Sequence, residues 1–270
     1  MKVSAVQLNL KHCFSKKQFI DYIEKQVFEN LLVMPDIICF PENINYCLLF
    51  AKKETISSLS IKSSFENAFD RFISKLDLSF IFRFLNIKNQ ENIILDSMSF
   101  LAQKYNCHIV TGTYYEKRSD GIYNSLSIID NNGEILGTSS KKDLVGFEKA
   151  LKIKSQLVPV VIETRLGKIG LSVCFDLNDP DYCSQFDCDI LVAPSNGYRP
   201  FPGYPFNYKK ETPQIQRVEE NKYAVIRPYF AGWMFPLYFQ GRTMIVDKNG
   251  TIYSSKTRDK TELLVVTIIV

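Results

Sequence analysis

Two short runs place the strongest constraint on the fold. Asp36-Ile37-Ile38-Cys39-Phe40 and Asp189-Ile190-Leu191-Val192-Ala193 are continuously apolar after their aspartate. A strand without apolar–polar alternation is buried on both faces, which calls for sheets covered by helices. Further β-like runs span residues 2 to 8, 107 to 115, 122 to 130, 134 to 139, 157 to 163, 168 to 174, 223 to 230, 241 to 247 and 262 to 270. Helical patterns cover about Lys16 to Val33, much of 54 to 77, about 91 to 105, and Pro213 to Asn221. Thr212 and Pro213 supply a cap and a fixed first φ for the last of these. Asn131-Asn132-Gly133 and Lys248-Asn249-Gly250 read as hairpin turns. The expected class is layered α/β with hairpins. The segment from Leu78 to Leu95 is aromatic-rich and aperiodic, and fits a lid over a pocket as well as a surface insertion.

At 270 residues the chain sits near the upper limit for one core, so residues 1–270 are expected to form a single domain. The net charge of +4 is carried by scattered lysines, which argues against a nucleic-acid partner. No apolar run approaches the ~18 residues of a membrane span, and Gln7 and Asn9 break any leader core. Seven irregularly spaced cysteines point to a reducing compartment, so a cytoplasmic protein is expected. Cys183 and Cys188 have no histidine nearby and read as packing residues, not zinc ligands. No Gly-rich phosphate loop is present.

Chemistry concentrates at strand ends. The run Gly167 to Val173 leads into Cys174, then Asp176, then the helix-start signature Asn178-Asp179-Pro180. A cysteine so placed can face a pocket, which is where a nucleophile sits. Glu42 follows the buried run 36 to 40, and Lys141 follows Ile135 to Ser140. Taken singly, such a cysteine is more often a small core residue, and such a glutamate or lysine a solvated one. His12 and His108 are the only histidines, and His108 lies in the apolar run Cys107-His108-Ile109-Val110, where a core role is expected. No Gly-x-Ser-x-Gly elbow occurs. The aromatic residues from Tyr198 to Tyr208 and from Tyr223 to Phe239, with Trp233, read as core and subunit interface ahead of a substrate pocket.

The order of these segments resembles one family. Phe40-Pro41-Glu42, then Lys141-Lys142-Asp143-Leu144 with Glu148, then Val173-Cys174-Phe175-Asp176 look like the three blocks of the nitrilase superfamily of carbon–nitrogen hydrolases. Val3 to Gln7, Tyr123-Asn124-Ser125, Asp189 to Asn196, Arg217 to Asn221 and Gly241 to Asp247 resemble its other segments, so the likeness covers essentially the whole chain. The resemblance implies a four-layer α-β-β-α sandwich and a Glu-Lys-Cys triad, carried over as Glu42, Lys141 and Cys174, with Glu148 as a supporting second glutamate. Lys141 is preferred to Lys142 because Leu144 stands three positions after it, as in the family motif. Asp143 occupies the place where the family usually has histidine.

The resemblance further implies a cysteine-dependent hydrolase of a non-peptide C–N bond in a small linear amide or N-carbamoyl compound. It implies no metal or organic cofactor, and a homodimer or higher homo-oligomer. In physical terms Glu42 can act as general base, while Lys141 favours the thiolate and the developing oxyanion. The Phe175 N–H is a candidate second oxyanion donor, and Asn196 a candidate substrate contact. Asp176 is expected to hold the nucleophile turn by hydrogen bonds. Two alternatives remain: an acyl transferase, since Lys141 to Glu148 is similar to the lipoprotein N-acyltransferase branch, and a silent binding protein on the same fold.

Overall fold

The computed structural model describes residues 1–48, 87–199, 212–234 and 237–269. The chain first forms β1 (Lys2–Asn9), α1 (Lys16–Gln26), β2 (Ile37–Cys39), α2 (Ile87–Tyr105), β3 (His108–Arg118), β4 (Gly121–Ile129) and β5 (Ile135–Ser140). Next come α3 (Gly146–Ala150), β6 (Ile153–Lys154), β7 (Val160–Thr164), β8 (Gly167–Leu171), α4 (Pro180–Cys183) and β9 (Ile190–Val192). The remainder gives β10 (Tyr198–Arg199), α5 (Pro213–Asn221), β11 (Ala224–Arg227), β12 (Phe230–Met234), β13 (Leu237–Phe239), β14 (Met244–Val246), β15 (Ile252–Ser254) and β16 (Glu262–Thr267).

These strands make two sheets. The larger runs β10-β13-β12-β1-β2-β3-β4-β5, with β16 along β1 and β6 on β4. The smaller runs β15-β14-β11-β9-β8-β7. The central strands are parallel in each: β1, β2 and β3 in one, β8, β9 and β11 in the other. Their side chains sort by strand alternation into layers. Val3, Ala5, Ile37 and Cys39 meet Ile169, Leu171, Ile190 and Val192 between the sheets. Val6, Leu8, Ile38 and Phe40 pack outward against α1 and α2, while Leu191, Ala193 and Val225 pack outward against α4 and α5. The result is the expected α-β-β-α order. Among the described residues no helix is long and apolar enough to cross a membrane.

Several boundaries differ from the sequence reading for physical reasons. The run 223 to 230 splits at Pro228, which lacks an N–H; β11 stays in the smaller sheet and β12 crosses to the larger. The run 168 to 174 ends as a strand at Leu171, and Cys174 opens a short 3-10 turn, Cys174–Asn178. Helix α2 starts at Ile87, so residues 87–95 are helical and not an aperiodic insertion. Its buried stripe includes Gln90, Glu91 and Ser97, polar residues that hide the period. The helical pattern from Lys16 to Val33 stops at Gln26 and gives way to a 3-10 turn, Phe28–Asn30. Thr212 occupies the N-cap position of α5, but its side chain makes no cap bond there. The expected helix within 54 to 77, and residues 78 to 86, lie outside the described residues.

Candidate active site

Glu42, Lys141 and Cys174 each follow a strand at its carboxyl end, the end at which open α/β sheets bind ligands. Glu42 reaches its place through a device in the neighbouring strand. The register of β3 against β4 shifts between Val110 and Thr113, and Gly112 there has φ +73. A Cβ on Gly112 would lie 2.1 Å from the Pro41 carbonyl oxygen, so only glycine lets the Phe40-Pro41-Glu42 segment pass this closely. The Thr113 hydroxyl then accepts the Asn43 main-chain N–H at 2.7 Å.

Lys141 is 2% exposed, and its Nζ lies 2.8 Å from Glu42 Oε1 and 2.9 Å from Glu148 Oε2. Glu148 is delivered by α3, and its carboxylate also accepts the Val145 N–H at 3.0 Å. Asn124 ties both acids together, its Nδ2 donating to Glu148 Oε1 at 2.8 Å and to Glu42 Oε1 at 3.2 Å. Asn124 carries no role legible in the sequence alone. Its signal was membership of the recognised hairpin block, and what it does there required the fold. Lys142 instead sends its Nζ to Asp179 at 2.6 Å and to Asp143 at 3.1 Å, away from Glu42.

Cys174 adopts φ +47, a left-handed conformation that few residues with a Cβ tolerate, and strain of this kind clusters at functional sites. Its N–H donates to Pro194 O at 2.9 Å. The charges of Glu42 and Lys141 and the Asn196 main-chain N–H all act on its thiol. Asp176 is fully buried and holds the turn from beneath. Its carboxylate accepts the main-chain N–H groups of Val173 at 3.1 Å, Lys142 at 3.2 Å and Asp143 at 2.7 Å. Phe175 exposes its ring, and its N–H stands in the first turn of the 3-10 segment, where amides have no intrahelical partner. Asn196 follows β9, and so the fold brings all six candidate residues to one end of the two sheets.

The electrostatics follow from burial. Burial raises the Glu42 carboxyl above the ordinary range, opposed by Lys141 and reinforced by Glu148. Burial alone would lower the Lys141 ammonium, but Glu148 and Glu42 outweigh it and hold the lysine charged. The Cys174 thiol is pushed up to about 11 by burial and by Glu42, against the pull of Lys141 and Arg227. A thiol with so high a pKa is protonated at neutral pH. Glu42, with its raised affinity for protons, is the carboxylate that acts on it. Arg227, at the end of β11, is a further buried cation that the sequence reading did not single out.

Two surface hollows, of about 360 and 540 Å³, lie at the opposite ends of the strands. One is lined by Gly167, Lys168 and Asp189, the other by His108, Asp130 and Arg165, and neither includes a triad residue. His108 itself is buried, as expected of a core residue. Tyr223, Tyr229, Phe230, Tyr238 and Phe239 are buried core side chains; most of the 198 to 208 aromatic group lies outside the described residues.

Comparison with known proteins agrees with this fold. The family model described as carbon-nitrogen hydrolase matches residues 2–269. A deaminated glutathione amidase of Dictyostelium discoideum is 33% identical over 123 residues, 40% of this chain and 42% of that protein. A probable nitrilase of Schizosaccharomyces pombe is 28% identical over 177 residues, 64% of this chain and 63% of that protein. Each alignment thus spans less than two thirds of the relative. Among solved structures, an amidase from Nesterenkonia sp. AN1, with acrylamide added at its active site cysteine, superposes with a TM-score of 0.71 at 13% identity. That match covers 100% of this chain and 93% of the other, and at such identity it speaks for the fold alone.

Proposed function

The chain belongs to the carbon-nitrogen hydrolase family, and on that premise we propose that it hydrolyses the C–N bond of a small linear amide or N-carbamoyl compound through a thioester on Cys174. The observation that carries the reading is the buried contact of Lys141 Nζ with Glu42 at 2.8 Å and Glu148 at 2.9 Å, beside the Cys174 sulfur. The match over residues 2–269 supports treating 1–270 as one hydrolase domain.

In this mechanism Glu42 takes the Cys174 proton as the sulfur attacks the carbonyl carbon. The C=O electron pair moves to oxygen, where Lys141 and the Phe175 N–H receive the negative charge. Collapse breaks the C–N bond, and the proton held by Glu42 leaves with ammonia or the amine. Water then loses a proton to Glu42 and attacks the thioester. The second collapse frees the acid and returns the proton to sulfur. Glu148 and Asn124 hold Lys141 and Glu42 in register and touch neither reacting bond. Preorganised charge of this kind is worth about 10²–10³ in turnover per donor.

The test is ammonia release across a panel of linear amides and N-carbamoyl compounds, with Cys174→Ala as control. Turnover lost in a Cys174→Ala protein of unchanged melting behaviour supports the reading. Turnover retained by that variant refutes it.

A further inference from the structure

The main chain of Cys174 hangs on a segment that is itself gripped from its far edge. Ser172 N–H donates to Val192 O at 3.0 Å and Cys174 N–H to Pro194 O at 2.9 Å, which carries the parallel pairing of β8 with β9 past the end of β8. Across the same segment, Ala193 N–H donates to Ile226 O at 2.8 Å and Ser195 N–H to Pro228 O at 2.9 Å. The carbonyls of Val192 and Pro194 thus serve the nucleophile, and the amides of Ala193 and Ser195 serve the chain around Arg227. That arginine is 6% exposed. Ile226 packs between the sheets, so strand alternation puts Arg227 on the helix-covered face. There its Nε donates to Ser195 Oγ at 2.8 Å and its Nη1 to Gln214 Oε1, on α5, at 2.7 Å. Ser195 Oγ in turn donates to Ala193 O at 3.3 Å.

A guanidinium presents its donors in a rigid planar fork, and bonds from a charged donor are the stronger kind. One branch of this fork ends on the segment that holds Cys174 and the other on a helix. The segment therefore cannot shift without breaking a charge-assisted bond. Cys174 has need of such a brace, because its φ of +47 persists only while the surrounding structure enforces it. We propose that Arg227 is a positioning residue for the nucleophile, acting through Ser195 to keep the Pro194 carbonyl on the Cys174 N–H. The inference rests on the reading above, in which Cys174 attacks the substrate, and deepens it by assigning what fixes that residue in place. The buried arginine charge has a second effect, since it acts on the Cys174 thiol in the sense that favours the thiolate.

Two readouts on the full chain test this, and neither needs a substrate, so their failure is distinct from a failure of Cys174 to hydrolyse amides. The first is hydrogen exchange by mass spectrometry on the peptide bearing Cys174, with the peptide bearing Ile37 to Cys39 as reference. Ser195→Ala and Arg227→Met should each quicken exchange at Cys174 by about tenfold relative to the reference. The second is competition of iodoacetate with iodoacetamide for Cys174, which separates charge from access because the reagents differ in charge and little in size. The share taken by iodoacetate should fall by about threefold or more in Arg227→Met and stay within about twofold of the wild type in Ser195→Ala, where the arginine remains. Arg227→Lys keeps the charge and a donor, and should recover both readouts toward the wild type. Ser195→Ala and Arg227→Lys carry the test if Arg227→Met does not fold. Exchange that quickens equally in both peptides or in neither, an unchanged reagent share in Arg227→Met, or an Arg227→Lys protein whose Cys174 peptide stays as fast as in Ser195→Ala would each overturn the assignment.

Discussion

The Asp176 carboxylate accepts the main-chain N–H of Asp143 at 2.7 Å, which fastens the loop of Lys141 to the turn of Cys174. Two residues that lie 33 positions apart, Lys141 and Cys174, thereby share one buried anchor.

Asp176→Ala would leave the Val173, Lys142 and Asp143 amides without their acceptor. At about 1–3 kcal/mol for each buried donor left unpaired, a loss of several kcal/mol is expected, read as a lowered midpoint in urea unfolding. Asp176→Asn keeps one acceptor oxygen and should fall between the two. The carboxyl is also pushed up to about 7, chiefly by burial, against the amides and Lys141. A folded pKa above the unfolded one means the fold holds the extra proton, so this contribution is fully present below about 4 and is lost as pH rises through 7. The unfolding free energy of the wild type should fall over that window, and Asp176→Asn should lack that component of the slope.

Gly112→Ala should damage the site from the adjacent strand. Its Cβ would meet Pro41 O at 2.1 Å at a φ of +73, so both sterics and backbone conformation oppose it. We expect destabilisation of at least about 1 kcal/mol with a large fall in kcat, because Glu42 follows Pro41 directly. Unchanged stability and turnover would show that the close passage is not required.

Glu42→Gln retains shape and one acceptor while removing the base. Turnover should drop by about 10²–10⁴ with little change in melting temperature. In the wild type, activity should rise with pH as Glu42 ionises, with an acid limb above the ordinary carboxylate range because burial raises that group. A limb at the usual position for a solvated carboxylate would count against the buried arrangement.

Iodoacetamide alkylation of Cys174 should be slow near neutral pH and accelerate as pH climbs toward about 11, the value to which burial and Glu42 push the thiol. Lys141→Met removes a cation that opposes this rise and should displace the profile to still higher pH. Peptide mapping by mass spectrometry reads both. A shift to lower pH in Lys141→Met would contradict the assigned electrostatics.

Much of this arrangement was legible in the chain. The doubly buried strands Ile37–Cys39 and Ile190–Val192 announced covered sheets, and Glu42, Lys141 and Cys174 stood at strand ends in an order shared with a known family. Other features were hidden because their evidence is not local. The two- and three-residue strands β6, β10, β13 and β15 are too short to carry a period. Gly112 could signal a bulge, but not that Pro41 would cross it. Asn124 serves two acids, Glu42 and Glu148, that lie 82 positions before and 24 after it, and only the folded sheet brings them together. The left-handed Cys174 likewise emerges from the turn geometry, not from residue type.

The central claim is that Cys174 carries the acyl group in a site organised by Glu42 and Lys141. Rapid-quench mass spectrometry during turnover of a hydrolysed amide tests it most directly. The account predicts a transient mass increment equal to the acyl group, confined to the peptide bearing Cys174 and absent from Cys174→Ala. Steady turnover of the same amide with the increment on another residue, or undiminished in Cys174→Ala, would contradict it.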